Sequence, residues 1–177
     1  MSDQRLDAIK SLIRDVPDFP KKGILFKDIT PLLSNADGFR DSIDLIAESL
    51  AGVDFDVIAG PEARGFIFGC PLAVKLGKGF VPIRKKGKLP YTTVEESYAL
   101  EYGEDTVQIH SDAVEKGQKV LLVDDLLATG GTMGACRRLI ENQGATVVAC
   151  SFVIELGFLN GREMLGETLR IESLINY

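Results

Sequence analysis

Histidine and cysteine, on which most protein metal clusters and many nucleophilic sites are built, are scarce in this 177-residue sequence: one His and three Cys. His110 has no second histidine with which to form a triad or a metal cluster, so its expected role is structural. Cys70, Cys136 and Cys150 form no CxxC pair, cannot all pair with one another, and fit a reducing interior. Each is flanked by apolar or small residues, and buried packing is the expected role of all three. An excess of positive charge is missing too. Lys and Arg total 20 against 26 Asp and Glu, a net charge of -6, which argues against a surface built to coat nucleic acid. The longest apolar stretch, "VVACSFVI", is far shorter than the ~20 residues of a membrane helix. "MSDQRLDAIK" lacks the apolar core of a signal peptide. A cytoplasmic, soluble protein with no nucleic-acid or membrane partner is the expectation. No repeat, low-complexity tract or linker interrupts the chain, so residues 1–177 are expected to form one domain.

What the sequence does have is alternation, with 45% hydrophobic residues to build a core. Leu6, Ile9, Ile13 and Val16 recur at three- and four-residue spacing and predict an opening amphipathic helix, ended by the prolines of "DVPDFPKKG". A second helix carries Phe39, Ile43, Ile46 and Leu50 on one face, with Asp37 as its candidate cap. "FDVIAG", "GFVPIR", "KVLLVDD" and "ATVVACSFVIEL" read as strands; helices are predicted over "RGFIFGCPLAVKLG" and "GTMGACRRLIENQG", the second ended by Gly144. "YALEY" and "TVQIH" suggest a hairpin. Strand–helix–strand order with short links predicts an α/β fold around a mainly parallel sheet.

The most informative segment is "VLLVDDLLATGGT", Val120 to Thr132. In open α/β sheets ligands bind beyond the carboxyl ends of strands, and Asp124 and Asp125 stand at such an end. Two neighbouring carboxylates cannot be buried unpaired, since even one costs several kcal/mol. A metal ion or the hydroxyls of a sugar diol would satisfy them. Thr129, Gly130, Gly131 and Thr132 then offer backbone N–H groups just before a helix, where partial positive charge favours phosphate. Acceptors for a diol beside donors for a phosphate describe a ribose phosphate. The rival loops are missing: there is no GxxxxGK[ST], and no GxGxxG follows a candidate strand.

These residues resemble the phosphoribosyl pyrophosphate motif of the type I phosphoribosyltransferases, and "VDDLLATGGT" is similar to its adenine-using branch. "DFPKKGILFKDITPLL", "IAGPEARGFIFG", "PIRKKGKLP", "YALEYG" and "LNGREML" extend the resemblance over nearly the whole chain. It implies the type I phosphoribosyltransferase fold: a mainly parallel twisted sheet flanked by helices. A small hood from about 17–33 and the C-terminal segment covers the base, and a flexible β-hairpin flap spans about 84–105, with 86–97 as its mobile part. The implied reaction is pentosyl transfer from phosphoribosyl pyrophosphate to adenine, giving AMP and pyrophosphate for purine salvage, with Mg2+ as cofactor and a homodimer as the assembly.

The resemblance also implies roles for single residues. Ala128 to Thr132 hold the 5′-phosphate, and Asp124 and Asp125 hold the diol. Arg64 lies in the pyrophosphate loop, where a cis peptide is expected at Glu62–Ala63, and Gly60 and Gly65 let backbone come close. Taken alone, Arg64 reads as a surface arginine capping a turn. Arg84, Lys85 and Lys88 are implied on the pyrophosphate side, from a neighbouring subunit; alone, "IRKKGKLP" is a solvated charged segment. Phe26 is suited to stack on a purine, with the backbone of Leu25 and Lys27 at the base edge, although Ile24, Leu25 and Phe26 otherwise read as core. Leu159 closes the pocket from the other side. Glu101 and Tyr102 are the implied acid–base pair near purine N7, where Glu101 alone would pass for a surface strand residue. Relatives that use hypoxanthine, guanine or xanthine, and a nucleotide-sensing regulator that binds nucleic acid, are the alternatives; the hood and the acidic balance weigh against them.

Overall fold

The apolar spacing that predicts a helix through Val16 is interrupted in the computed structural model, which describes residues 2–99, 104–166 and 168–177. Helix α1 (Ser2–Ser11) stops before Ile13, and strand β1 (Arg14–Pro17) pairs antiparallel with β2 (Leu25–Asp28). Ile13 still reaches the core, but Val16 sits opposite Phe26 in a ladder. Long-range pairing has overridden a helical period that the same residues satisfy equally well. A short helix α2 (Thr30–Ser34) precedes α3 (Ala36–Ser49). The cap of α3 is Asn35 and not Asp37: the Asn35 backbone is still extended, and its side chain accepts a 2.8 Å bond from the Gly38 N–H. Asp37 lies inside the first turn and pairs with Arg40 at 2.7 Å.

The remaining elements are β3 (Val57–Pro61), α4 (Arg64–Leu76), β4 (Gly79–Lys85), β5 (Thr93–Ala99), β6 (Glu104–His110), β7 (Lys119–Leu127), α5 (Gly131–Glu141), β8 (Thr146–Glu155), a 3-10 turn (Gly157–Leu159), α6 (Gly161–Leu165) and β9 (Arg170–Asn176). The seven-stranded sheet runs β5-β6-β4-β3-β7-β8-β9. Its five strands from β4 to β9 are parallel, and the β5–β6 hairpin adds an antiparallel edge. The predicted hairpin is therefore present, with its first strand starting earlier than "YALEY" suggested; β9 was not anticipated.

Alternation along β7 divides the core. Val120 and Leu122 pack with Met133, Cys136, Leu139 and Ile140 of α5, while Leu121 and Val123 pack with Ile43 and Ile46 of α3 and Phe68 and Leu72 of α4. Helices thus cover both faces, which is why β7 reads as an unbroken aliphatic run. Cys136 and Cys150 are buried as expected, but Cys70 is exposed on α4. Its apolar flanks in sequence say nothing about which side of a helix it occupies.

The sheet order also locates a crevice. From β3 the chain moves through α4 to β4 on one side, and from β7 it moves through α5 to β8 on the other. The carboxyl ends of β3 and β7 therefore part company, and such a switch point is where open α/β sheets bind ligands.

Candidate active site

The two aspartates near the end of β7 line one cleft together with Arg64. Asp125 is only 2% exposed. Its Oδ2 lies 3.1 Å from Arg64 Nε, and its backbone N–H donates to Asp124 Oδ1 at 2.9 Å. Burial pushes both carboxyl pKa values above the usual range. The Asp125 charge pushes Asp124 further up, and the Arg64 guanidinium draws Asp125 partly back. Such a pair gains from any ligand that brings hydroxyl donors or positive charge.

Beside it, Ala128, Thr129, Gly130, Gly131 and Thr132 line a cleft of about 180 Å³ with Arg64 and Asp124. Gly130 caps α5 with a φ of 81°, and among the described residues no side chain caps the first-turn N–H groups. A Cβ at Gly130 would strike the Gly161 carbonyl oxygen, and one at Gly161 would strike the carbonyl of Ala128. The loop is therefore shaped from behind by the start of α6, in "LNGREML".

A second cleft of about 350 Å³ shares Arg64, Asp124 and Thr132 with the first and adds Pro61, Glu62, Ala63, Lys85, Tyr98, Asp105 and Asp125. The Glu62–Ala63 peptide is cis, as the resemblance implied, and Arg64 opens α4. Gly60 and Gly65 do allow a close approach, but to β7: a Cβ would lie 2.7 Å and 2.9 Å, respectively, from the Val123 carbonyl oxygen, and that of Gly65 also 3.2 Å from Asp124 Oδ1. These glycines seat the loop against the acidic strand.

The basic cluster separates into distinct roles. Lys85 lines the cleft of its own chain and meets Asp105 Oδ2 at 3.1 Å. Arg84 is turned onto Glu62 at 2.5 Å and donates to the Lys88 carbonyl at 3.1 Å; Lys88 is exposed. Tyr98 and Asp105 were missed by sequence reasoning. The Tyr98 hydroxyl accepts from Thr132 Oγ1 at 3.1 Å and donates to Asp105 Oδ2 at 3.3 Å, tying the hairpin to the start of α5. Only the period of β5, which turns Tyr98 inward, hinted at this. Glu101 and Tyr102 lie outside the described residues.

On the hood, Phe26 packs edge-on against Phe19 with centroids 5.1 Å apart, and the Arg64 guanidinium carbon lies 5.8 Å from the Phe26 ring centre. Leu25 is 49% exposed, and Ile24, Phe26 and Lys27 are half-buried, so none of this stretch is core. The 3-10 turn presents Leu159 and, unforeseen, the exposed Phe158. His110 stands edge-on to Tyr91, 5.9 Å between ring centres, and among the described residues no cluster of three metal-ligating side chains forms.

Known proteins share this arrangement. A phosphoribosyl transferase domain matches residues 29–160. The chain is 57% identical over 172 residues to an adenine phosphoribosyltransferase of Caldanaerobacter subterraneus subsp. tengcongensis, covering 97% of this chain and 99% of the relative. The crystal structure of adenine phosphoribosyltransferase from Thermoanaerobacter pseudethanolicus superposes with a TM-score of 0.94 at 56% identity, over 97% of this chain and 99% of that one. The Saccharomyces cerevisiae enzyme, complexed with D-2,5-dideoxy-2,5-imino-altritol 1,6-bisphosphate and adenine, gives 0.91 at 39% identity over 97% and 99% of the two chains. By the family match, the sequence identity and the shared fold, the chain belongs to the adenine phosphoribosyltransferases of the phosphoribosyl transferase domain family.

Proposed function

We propose that the protein transfers the 5-phosphoribosyl group of phosphoribosyl pyrophosphate to adenine, forming AMP and releasing pyrophosphate. The observation that carries this reading is the Asp124–Asp125 pair, half-buried and buried respectively, sharing a cleft with Arg64 beside the open N-terminus of α5. The yeast neighbour's complex with adenine supports the choice of base.

In this reading the 5′-phosphate is held by backbone N–H groups between Ala128 and Thr132, and the ribose hydroxyls donate to Asp124 and Asp125. The bond from the anomeric carbon to pyrophosphate breaks as the bond to adenine N9 forms. Positive charge develops on the sugar as these bonds exchange, and the two carboxylates offset it. Ligand hydroxyls and that developing charge are what the raised pKa values of the pair lack in the free protein. Arg64 and Lys85 face the departing pyrophosphate, and Arg84 and Lys88 add positive charge on that side. Phe26 stacks on the base, the Leu25 and Lys27 backbone reads its edge, and Leu159 closes the far side. Glu101 and Tyr102 handle the proton near N7.

The site also suits Mg2+. Asp124 and Asp125 would be the acceptors to orient an ion that keeps its waters and borrows substrate oxygens, and such an ion, bound with the substrate, would supply positive charge to offset that of the leaving pyrophosphate. A homodimer and a cytoplasmic location complete the proposal; no helix among the described residues is long and apolar enough to cross a membrane.

Turnover of a base panel with phosphoribosyl pyrophosphate and Mg2+ checks the assignment. Adenine is expected to exceed hypoxanthine, guanine and xanthine in kcat/KM by about 100-fold or more, because an edge matched to the 6-amino group leaves polar atoms unpaired with a 6-oxo base. A 6-oxopurine used as well as adenine would move the protein to another base specificity.

A further inference from the structure

The proposed base site lies between two segments distant in sequence, β2 and the turn after β8, and one residue touches both. Tyr177 follows β9. Its backbone N–H donates to the Glu155 carbonyl at 2.9 Å, and its own carbonyl accepts from the Gly157 N–H at 3.0 Å. Those two bonds hold the bend from Glu155 to Gly157, which leads directly into Phe158 and Leu159. The ring of the same residue lies under the hood: Lys27 Nζ is 3.7 Å from the ring centre, and Lys10 Nζ of α1 is 5.4 Å away.

Lys27 has few alternatives. Its side chain is 9% exposed, and besides the ring its ammonium meets Asp15 Oδ1 at 2.6 Å. Asp15 and Lys27 are paired across β1 and β2, so the carboxylate belongs to the same small hairpin as the lysine. The aromatic face ties the Lys27 end of that hairpin to the C-terminal strand through a nearly dehydrated cation, the setting in which such contacts are strongest.

We infer that Tyr177 is a positioning residue for adenine: its backbone fixes the Phe158–Leu159 turn and its ring fixes the Lys27 end of β2, setting the distance between the two segments. The inference rests on the assignment of adenine to the pocket between Phe26 and Leu159. Tyr177 touches the two segments and not the reacting atoms, so its removal should affect base recognition and leave the phosphate loop and acidic pair intact.

Full-length Tyr177→Ala, Tyr177→Leu and Tyr177→Phe variants test this through separate KM values for the two substrates, kcat and the thermal midpoint. The Ala and Leu variants are expected to raise KM for adenine by about five- to tenfold, with KM for phosphoribosyl pyrophosphate and kcat within about twofold of wild type. The Phe variant keeps the aromatic face and should behave as wild type. The Leu variant retains bulk at the site and gives the answer if the Ala variant does not fold. A residue that merely supports the fold would lower the midpoint or the active fraction while leaving the KM ratio alone. An unchanged adenine KM in the Leu variant, or an equal rise in both KM values, overturns the inference while wild-type turnover of adenine keeps the proposed function standing. Failure of the wild type to use adenine overturns both.

Discussion

Replacing Asp124 and Asp125 together by Asn is expected to lower kcat/KM by about 10³-fold or more, because the diol loses two charged acceptors and the developing sugar cation loses its counter-charge. The same change should not weaken the fold. Both carboxyls titrate above their ordinary range because they are buried, and Asp124 also because Asp125 is adjacent. An acid whose pKa is raised by folding holds its proton longer in the native state. Its favourable contribution is therefore complete below the unfolded pKa near 3.8 and is lost as pH rises from there through the folded value. As pH rises toward neutral the free protein carries a growing penalty for these two buried, adjacent acids, and asparagine removes it. Arg64 loses its 3.1 Å partner, but its side chain is 42% exposed and stays hydrated, so no buried charge is stranded. The thermal midpoint should stay level or rise by roughly 2–4 °C, and its fall with pH above about 4 should flatten. A lower midpoint with only a modest loss of activity would mean that the pair serves the structure.

Gly60→Ala should have the opposite signature, a large loss of stability. The added methyl group would stand 2.7 Å from the Val123 carbonyl oxygen and 3.4 Å from the backbone of Gly65. Both neighbours are backbone, one in β7 and one in the first turn of α4, and β3 and β7 are in register from Val57–Val120 to Ala59–Leu122 just before this point. Nothing flexible can yield, so the strand ends must separate. Overpacking of this kind costs about 1–3 kcal/mol, which corresponds to a midpoint lower by roughly 2–12 °C for a domain of this size. Phosphoribosyl pyrophosphate binding should weaken as well, since the displaced atoms carry Asp124 on one side and the Glu62–Arg64 loop on the other. Thermal melts together with calorimetric titration of that substrate check both effects. A midpoint within 1 °C of wild type would show that the ladder opens freely.

Much of this site was legible because its chemistry is local. Asp124 to Thr132 are consecutive, the strand period and helix start are written around them, and their roles need no distant partner. The features that escaped the sequence are those made by contacts across it. Tyr98 and Asp105 enter the site through Thr132 and Lys85, and Arg84 is claimed by Glu62, 22 residues away. Val16 satisfies a helical period and a strand ladder equally, so only pairing with Phe26 decides between them. Asn35 won the cap from Asp37 because of where the backbone turns, not because of side-chain chemistry. Gly60 and Gly65 were rightly read as sites of close approach, yet the approaching atoms belong to β7.

A crystal structure with ribose 5-phosphate bound bears most directly on the diol-and-phosphate reading. Both ribose hydroxyls are expected at about 2.5–3.0 Å from carboxylate oxygens of Asp124 and Asp125, with the phosphate on N–H groups between Ala128 and Thr132. A sugar phosphate bound elsewhere, with this cleft still filled by solvent, would contradict it.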